Sequence, residues 1–255
     1  MSGSLVIVGL GPGPVDLLTQ AAARALEAAT DLVGYGPYLD RIPQNPVSQR
    51  RHASGNGVEI DRARHALMLA AEGRKVGVVS GGDPGVFAMA AAVFEAVEQG
   101  DPGWRELDIR VEPGITAMLA AAAEVGAPLG ADFCAISLSD NLKSWQTIER
   151  RLRAAAEADF VIALYNPASR ARPAQLGRAF DLLRATKSPQ TIVLFVRSAA
   201  TPESQVVMTT LAEADPALAD MRTLVIIGAS ATRLVPRRGS RPWVYTPRAE
   251  CEAVR

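Results

Sequence analysis

The chain has 255 residues, 48% of them hydrophobic and 21% charged, an ordinary composition for a globular protein with room for one large core or two smaller ones. Its 27 basic and 27 acidic side chains cancel, so no global field draws it to nucleic acid or an anionic membrane, and any attraction must be local. Cys134 and Cys251 stand too far apart for a disulfide framework or a zinc spacing. No apolar run reaches the roughly 20 residues of a membrane span. No basic segment leads into a long apolar one at the N-terminus, so a reducing cytoplasm is the expected compartment.

Short β-branched runs alternate with helical patterns. Strands are expected over 5–8, 31–35, 75–80, 108–112, 133–138, 159–164, 191–196, 204–208 and 223–227. Helices are expected over 17–28, 59–72, 86–98, 115–124, 144–156 and 173–186. Gly73 and Gly100 sit just past two of these helices, and Asp16 and Ser144 have the chemistry of N-caps. The alternation predicts an α/β fold. Two stretches break it. Residues 36–57 are rich in Pro, Asn and Arg with no clear period, which at that length points to a functional loop. The segment GAPLGA at 126–131 reads as a linker between domains at 1–125 and 126–255.

The first strand runs into Gly9-Leu-Gly-Pro-Gly-Pro14. A dinucleotide fingerprint would need glycine where Pro14 stands and an acid after the second strand, where the chain reads Val33-Gly34-Tyr35. Pro12 and Pro14 also remove N–H donors that a phosphate would use. Gly81-Gly82-Asp83-Pro84-Gly85-Val86-Phe87, Glu112-Pro113-Gly114-Ile115-Thr116-Ala117 and Tyr165-Asn166-Pro167 follow other strands, at the ends where open α/β sheets bind ligands. Asp83 is either an acceptor for a ligand or a helix cap. Such strand ends without a phosphate signature suit a polar ligand that is not strongly anionic, and S-adenosylmethionine has that character.

These motifs, in this order, resemble those of the class III (tetrapyrrole methylase) methyltransferases. The stretches DNLKSWQTIERRL and ALYNPASRAR narrow the resemblance to the precorrin-3B C17-methyltransferase family of cobalamin biosynthesis, over residues 5 to about 243. The resemblance implies two α/β domains, each with a mostly parallel central sheet, and a cleft between them for S-adenosylmethionine. Carried over motif by motif, it implies cofactor contacts from Pro12, Gly82, Asp83, Val86, Phe87, Thr116 and Ala117, and from Tyr165, Asn166, Met208 and Gly228. It also implies a homodimer, and no metal site is expected from the residues themselves. The chain departs from the family where Arg197-Ser-Ala-Ala-Thr201 replaces a common Arg-Asn-Ala-Gly-Arg, where Ala229 stands for Asn, and where Asn56 stands for Met.

The implied reaction is methyl transfer with contraction of a carboxylate-bearing macrocycle. Methyl transfer needs positioning and no nucleophilic side chain, and the sequence has no nucleophile elbow, metal cluster or Cys/His dyad. Arg41, Arg50 and Arg51 in the irregular segment, with Arg170, Arg172 and Arg197 later, are candidates for the carboxylates. A solvated basic loop is the plainer alternative. His52 is the candidate acid near the substrate, while His65 reads as a packing residue within a helix. Asp140 would either hold a pyrrole N–H or cap the following helix. Other readings are a methylase of another precorrin or of uroporphyrinogen III, an RNA methyltransferase, a nicotinamide oxidoreductase, and a tetrapyrrole carrier without turnover. The balanced charge opposes the RNA reading, and Pro14 opposes the nicotinamide one.

Overall fold

The computed structural model describes residues 3–43, 49–169 and 171–249. The chain divides into two compact units, Met1–Ala117 and Met118–Arg255. The division falls inside a helix, upstream of the GAPLGA segment.

In the first unit the elements run β1 (Ser4–Gly9), α1 (Gln20–Ala28), β2 (Asp31–Tyr35), α2 (Gly36–Leu39), β3 (Arg50–Ser54), α3 (Glu59–Ala71), β4 (Lys75–Ser80), α4 (Met89–Gln99), β5 (Asp108–Glu112) and α5 (Ala117–Val125), the last crossing into the second unit. The five strands pair in the order β3-β2-β4-β1-β5, all parallel. Near-continuous apolar strands follow, because helices cover both faces of a parallel sheet. Leu5 and Ile7 of β1 join Val33, Val78 and the alanine-rich faces of α3 and α4 in one core. Val8, with Leu32 and Val79, packs against Ala22 and Leu26 of α1 on the other face.

Several expectations are corrected here. Residues 36–57 are not one irregular loop, since they contain α2 and β3. The β3 sequence Arg-Arg-His-Ala-Ser lacks an apolar period because β3 is an edge strand. Helix α1 begins at Gln20, not at 17. Its N-cap is Thr19, whose hydroxyl accepts the Ala22 N–H at 3.1 Å, and Asp16 sits in a preceding 3-10 turn. Helix α4 begins at Met89, not at 86, because Phe87 adopts a left-handed φ of 53° that no helix accommodates.

The second unit continues with β6 (Gly126–Ala127), β7 (Phe133–Ser137), α6 (Trp145–Glu157), β8 (Val161–Tyr165), α7 (Gln175–Arg184), β9 (Ile192–Arg197), β10 (Gln205–Thr210), β11 (Thr223–Ile227), β12 (Arg233–Arg237) and β13 (Ser240–Tyr245). Ser144 caps α6 by accepting the Thr147 N–H at 3.3 Å. The main sheet has the order β10-β9-β11-β8-β7. It is mixed, which corrects the expectation of a mostly parallel second sheet. The helical crossovers α6 and α7 keep β7, β8 and β9 in one direction, as the alternation requires. Between β9 and β10 the chain has no helix, so it turns straight back. Strand β11 then enters between β9 and β8, antiparallel to both. Its core sets Ile148, Leu152, Leu176, Phe180 and Leu183 against Ile162, Leu164, Val193, Phe195 and Val225. A small sheet of β12, β13 and β6 completes the unit, and β12 and β13 carry no strand period in the sequence because their arginines and Pro236 interrupt it.

Candidate active site

In the first unit the loops after β1, β4 and β5 meet at one edge of the sheet. Gly11 and Gly82, each at φ 65°, exchange backbone hydrogen bonds of 3.1 and 3.0 Å. Gly114 is equally constrained, since a Cβ there would stand 2.2 Å from the Gly82 carbonyl oxygen. Asp83 ties the loops together: one carboxylate oxygen accepts the Gly85 N–H at 2.8 Å and the other accepts the Gly114 N–H at 3.0 Å. It caps no helix. Pro12, Val86, the half-exposed Phe87, the buried Thr116 and Ala117 lie on the same three loops, so the seven first-unit residues expected at the cofactor share this edge.

Many of the donors at this edge are spent. The N–H groups of Leu10, Gly11, Gly82 and Val86 bond to carbonyls, those of Gly85 and Gly114 bond to Asp83, and Pro12, Pro14, Pro84 and Pro113 have none. A pyrophosphate needs converging N–H groups. This edge offers carbonyl oxygens, a carboxylate with lone pairs to spare and apolar surface, which suits a cationic or neutral ligand.

In the second unit, β7, β8 and β9 run the same way, so Ser137, Tyr165 and Arg197 end at one edge. Tyr165 accepts the Met118 N–H at 3.1 Å on its hydroxyl. Asn166, at φ 52°, donates to the Ser137 hydroxyl at 2.9 Å. Asp140 follows β7 and accepts from the Gln175 amide at 3.2 Å. Met208 lies mid-strand in β10 opposite Leu194. Gly228 is not at this edge: β11 runs opposite to β8, and the Gly228 N–H donates to the Ile192 carbonyl at the start of β9.

The arginines divide. Arg41 donates to the Leu10 and Gly11 carbonyls at 3.1 and 3.0 Å, bracing the first glycine loop. Arg51 donates to the carbonyls of Leu39, Ile42 and Pro43, each at 2.8 Å, closing the end of α2. Both are structural clamps, contrary to the expectation that they reach for substrate. Arg197 pairs with Asp220 at 2.8 Å. Arg50 is exposed on β3, and a terminal nitrogen of Arg172 is buried with no hydrogen-bond partner among the described residues. Arg170 lies outside the described residues.

His52 is also placed differently from the expectation. It points onto the face covered by α3, where its Nε2 lies 2.9 Å from Asp31 Oδ1 and its Nδ1 lies 3.0 Å from His65 Nε2. Asp31 is 2% exposed and takes further bonds from Arg74 at 3.1 Å and from the Thr30 hydroxyl at 2.8 Å. Burial alone would raise the Asp31 carboxyl, but the bonds from His52, Thr30 and Arg74 outweigh it and hold the group below the usual carboxylate range. Burial lowers His65, with repulsion from His52 adding to it. An ionised Asp31 only accepts, so His52 Nε2 carries a proton. The imidazole pair shares one further proton between Nδ1 and Nε2.

Arg62 and Glu124 also shape the loops around these strand ends. Arg62 is a buried arginine beneath the loop after β3. Glu124 accepts the Ala200 N–H and, at 2.6–2.7 Å, the Ser204 hydroxyl. It thereby clamps a turn in which Ser198 (φ 51°) and Ala200 (φ 65°) are both left-handed. The departure from Arg-Asn-Ala-Gly-Arg was a legible signal for the second, because Asn and Gly are the residues that tolerate such φ values.

The description Tetrapyrrole (Corrin/Porphyrin) Methylases matches residues 4–215. The chain is 56% identical over 248 residues to a precorrin-3B C(17)-methyltransferase of Sinorhizobium sp, covering 97% of each chain. It superposes on the crystal structure of the methyltransferase CobJ with a TM-score of 0.91 at 54% identity, over 96% of this chain and 100% of that one. A uroporphyrin-III C-methyl transferase from Thermus thermophilus, complexed with S-adenyl homocysteine, shares the fold at a TM-score of 0.68 and 24% identity, over 89% and 97% of the two chains. With its donor-poor glycine edge and its matched length, the chain belongs to the tetrapyrrole (corrin/porphyrin) methylase family.

Proposed function

We propose that this protein transfers a methyl group from S-adenosylmethionine to C17 of precorrin-3B and couples the transfer to ring contraction, giving precorrin-4 in cobalamin biosynthesis. It acts in the cytoplasm as a homodimer. The near-full-length likeness to the Sinorhizobium enzyme carries the substrate assignment. The edge of the first sheet fits the cofactor, since a sulfonium with no phosphate needs few N–H donors.

S-adenosylmethionine supplies an electrophilic methyl group. The chain's part is to bind, orient and exclude water. Asp83 offsets the positive charge and accepts from hydroxyl or amine groups with its remaining lone pairs, and Phe87 and Val86 give apolar cover. Tyr165 and Asn166 form the corresponding strand end in the second unit. Arg172 and Arg197 meet substrate carboxylates, whereas Arg50, which starts β3 beside Asp31, lies at the end of the first sheet opposite the glycine loops. Asp140, half-buried and oriented by Gln175, is the acid/base candidate for the proton movements of ring contraction, and His52 is a structural partner of Asp31.

The test is anaerobic incubation with precorrin-3B and methyl-labelled S-adenosylmethionine, followed by mass and absorbance. A labelled, ring-contracted product is expected. Cofactor binding without label transfer would refute the substrate assignment and direct attention to cobalt-bearing or earlier precorrins.

A further inference from the structure

The chain itself does not account for the glycines at the ends of β2 and β3. Tyr35 and Ser54 are paired, and Gly36 and Gly55 each follow one of them. Neither has a left-handed φ, unlike nearby Gly57 at 81°. Apart from the adjoining residues and, at Gly36, the backbone of α2 itself, no heavy atom among the described residues lies within 4 Å of where a Cβ would stand on either. Alanine satisfies both backbone and space at Gly55, so the missing side chain makes room for something other than the described chain.

Arg62 of α3 lies beneath that loop and is 6% exposed. Its Nε donates to the Ser54 hydroxyl at 2.8 Å, one terminal nitrogen donates to the Gly55 carbonyl, and the other lies 3.4 Å from the sulfur of Met89, the first residue of α4. The Ser54 hydroxyl passes the contact on to the Gly34 carbonyl at 3.4 Å. None of these partners is anionic, and no carboxylate among the described residues pairs with Arg62. A buried guanidinium is costly without a counter-charge. Binding a carbonyl and a hydroxyl needs only a neutral donor, so the charge points to an anion from outside the chain.

We propose that the Gly55 loop is where the carboxylate-bearing macrocycle lies against the protein, and that Arg62 is the positioning residue that sets this loop and makes it electropositive. Arg62 touches the loop and acts on the substrate through it. This inference rests on the tetrapyrrole reading given above, and wild-type turnover of precorrin-3B is its control.

Gly55→Ala separates contact from folding, because alanine fits the folded chain. Its melting temperature is expected to stay equal to or slightly above that of the wild type. The KM for precorrin-3B should rise about tenfold, while the dissociation constant of S-adenosylhomocysteine stays within about twofold. Arg62→Met should raise the same KM by a similar factor, with Arg62→Lys recovering part of the loss. A precorrin-3B KM within about twofold of wild type in Gly55→Ala would overturn the proposal. So would an equal weakening of S-adenosylhomocysteine in these variants, since the loop would then serve the cofactor. A wild-type protein that methylates no tetrapyrrole would overturn the functional reading and this inference with it.

Discussion

The two sheet edges solve one problem by different means. Each must turn the chain sharply at strand ends while leaving polar groups available. In the first unit Gly11 and Gly82, with Phe87 beside them, take the left-handed conformations, and Gly9 and Gly114 allow backbones to touch. In the second unit Asn166, Ser198 and Ala200 take them, and side chains hold the strain: Asn166 through Ser137, and the 198–204 turn through Glu124. An edge built on glycine therefore fails by steric intrusion, whereas an edge built on clamps fails by release.

The largest expected effect falls on the glycine edge. Gly114→Ala places a Cβ against the Gly82 carbonyl and the Gly9 backbone, and about 3 kcal/mol of stability should be lost in urea unfolding, together with measurable S-adenosylhomocysteine binding. A loss below 1 kcal/mol would show that the loops can part. On the clamped edge, Glu124→Ala strips the Ala200 N–H and the Ser204 hydroxyl of their acceptor, costing about 2 kcal/mol by the same measurement.

The sign reverses at Ala200. Glycine there removes the left-handed penalty at some cost in unfolded-chain entropy, so Ala200→Gly should stabilise by about 0.5 kcal/mol; a lower melting temperature would argue that the turn is unstrained. The smallest effect tests the His65–His52–Asp31 chain. His65 is lowered, so the folded state disfavours its proton. Its contribution is full above the unfolded value of about 6.5 and declines as pH falls from there toward the folded value. Melting temperature should drop by a few degrees on acidification from neutrality, and His65→Gln should flatten that slope. An unchanged slope would remove His65 as its source.

The amino-acid sequence by itself determined the alternation of strands and helices, the strand ends that carry glycine, the absence of a phosphate cradle and the family. Those follow from local chemistry: β-branched runs, N–H groups deleted by proline, and motifs a few residues long. Only the tertiary structure decided which polar groups are free. Arg41 and Arg51 look like carboxylate binders, yet they are spent on carbonyls brought close by α2 and β3, an edge strand with no apolar period to announce it. His52 looked like an acid, but the register of β2 with β3 sets it near Asp31. Gly228 ends its strand as Tyr165 does, yet lies at the other edge because one short connection reverses the chain. Strand direction, register and the pairing of distant polar groups depend on contacts remote in sequence, and local patterns carry no record of them.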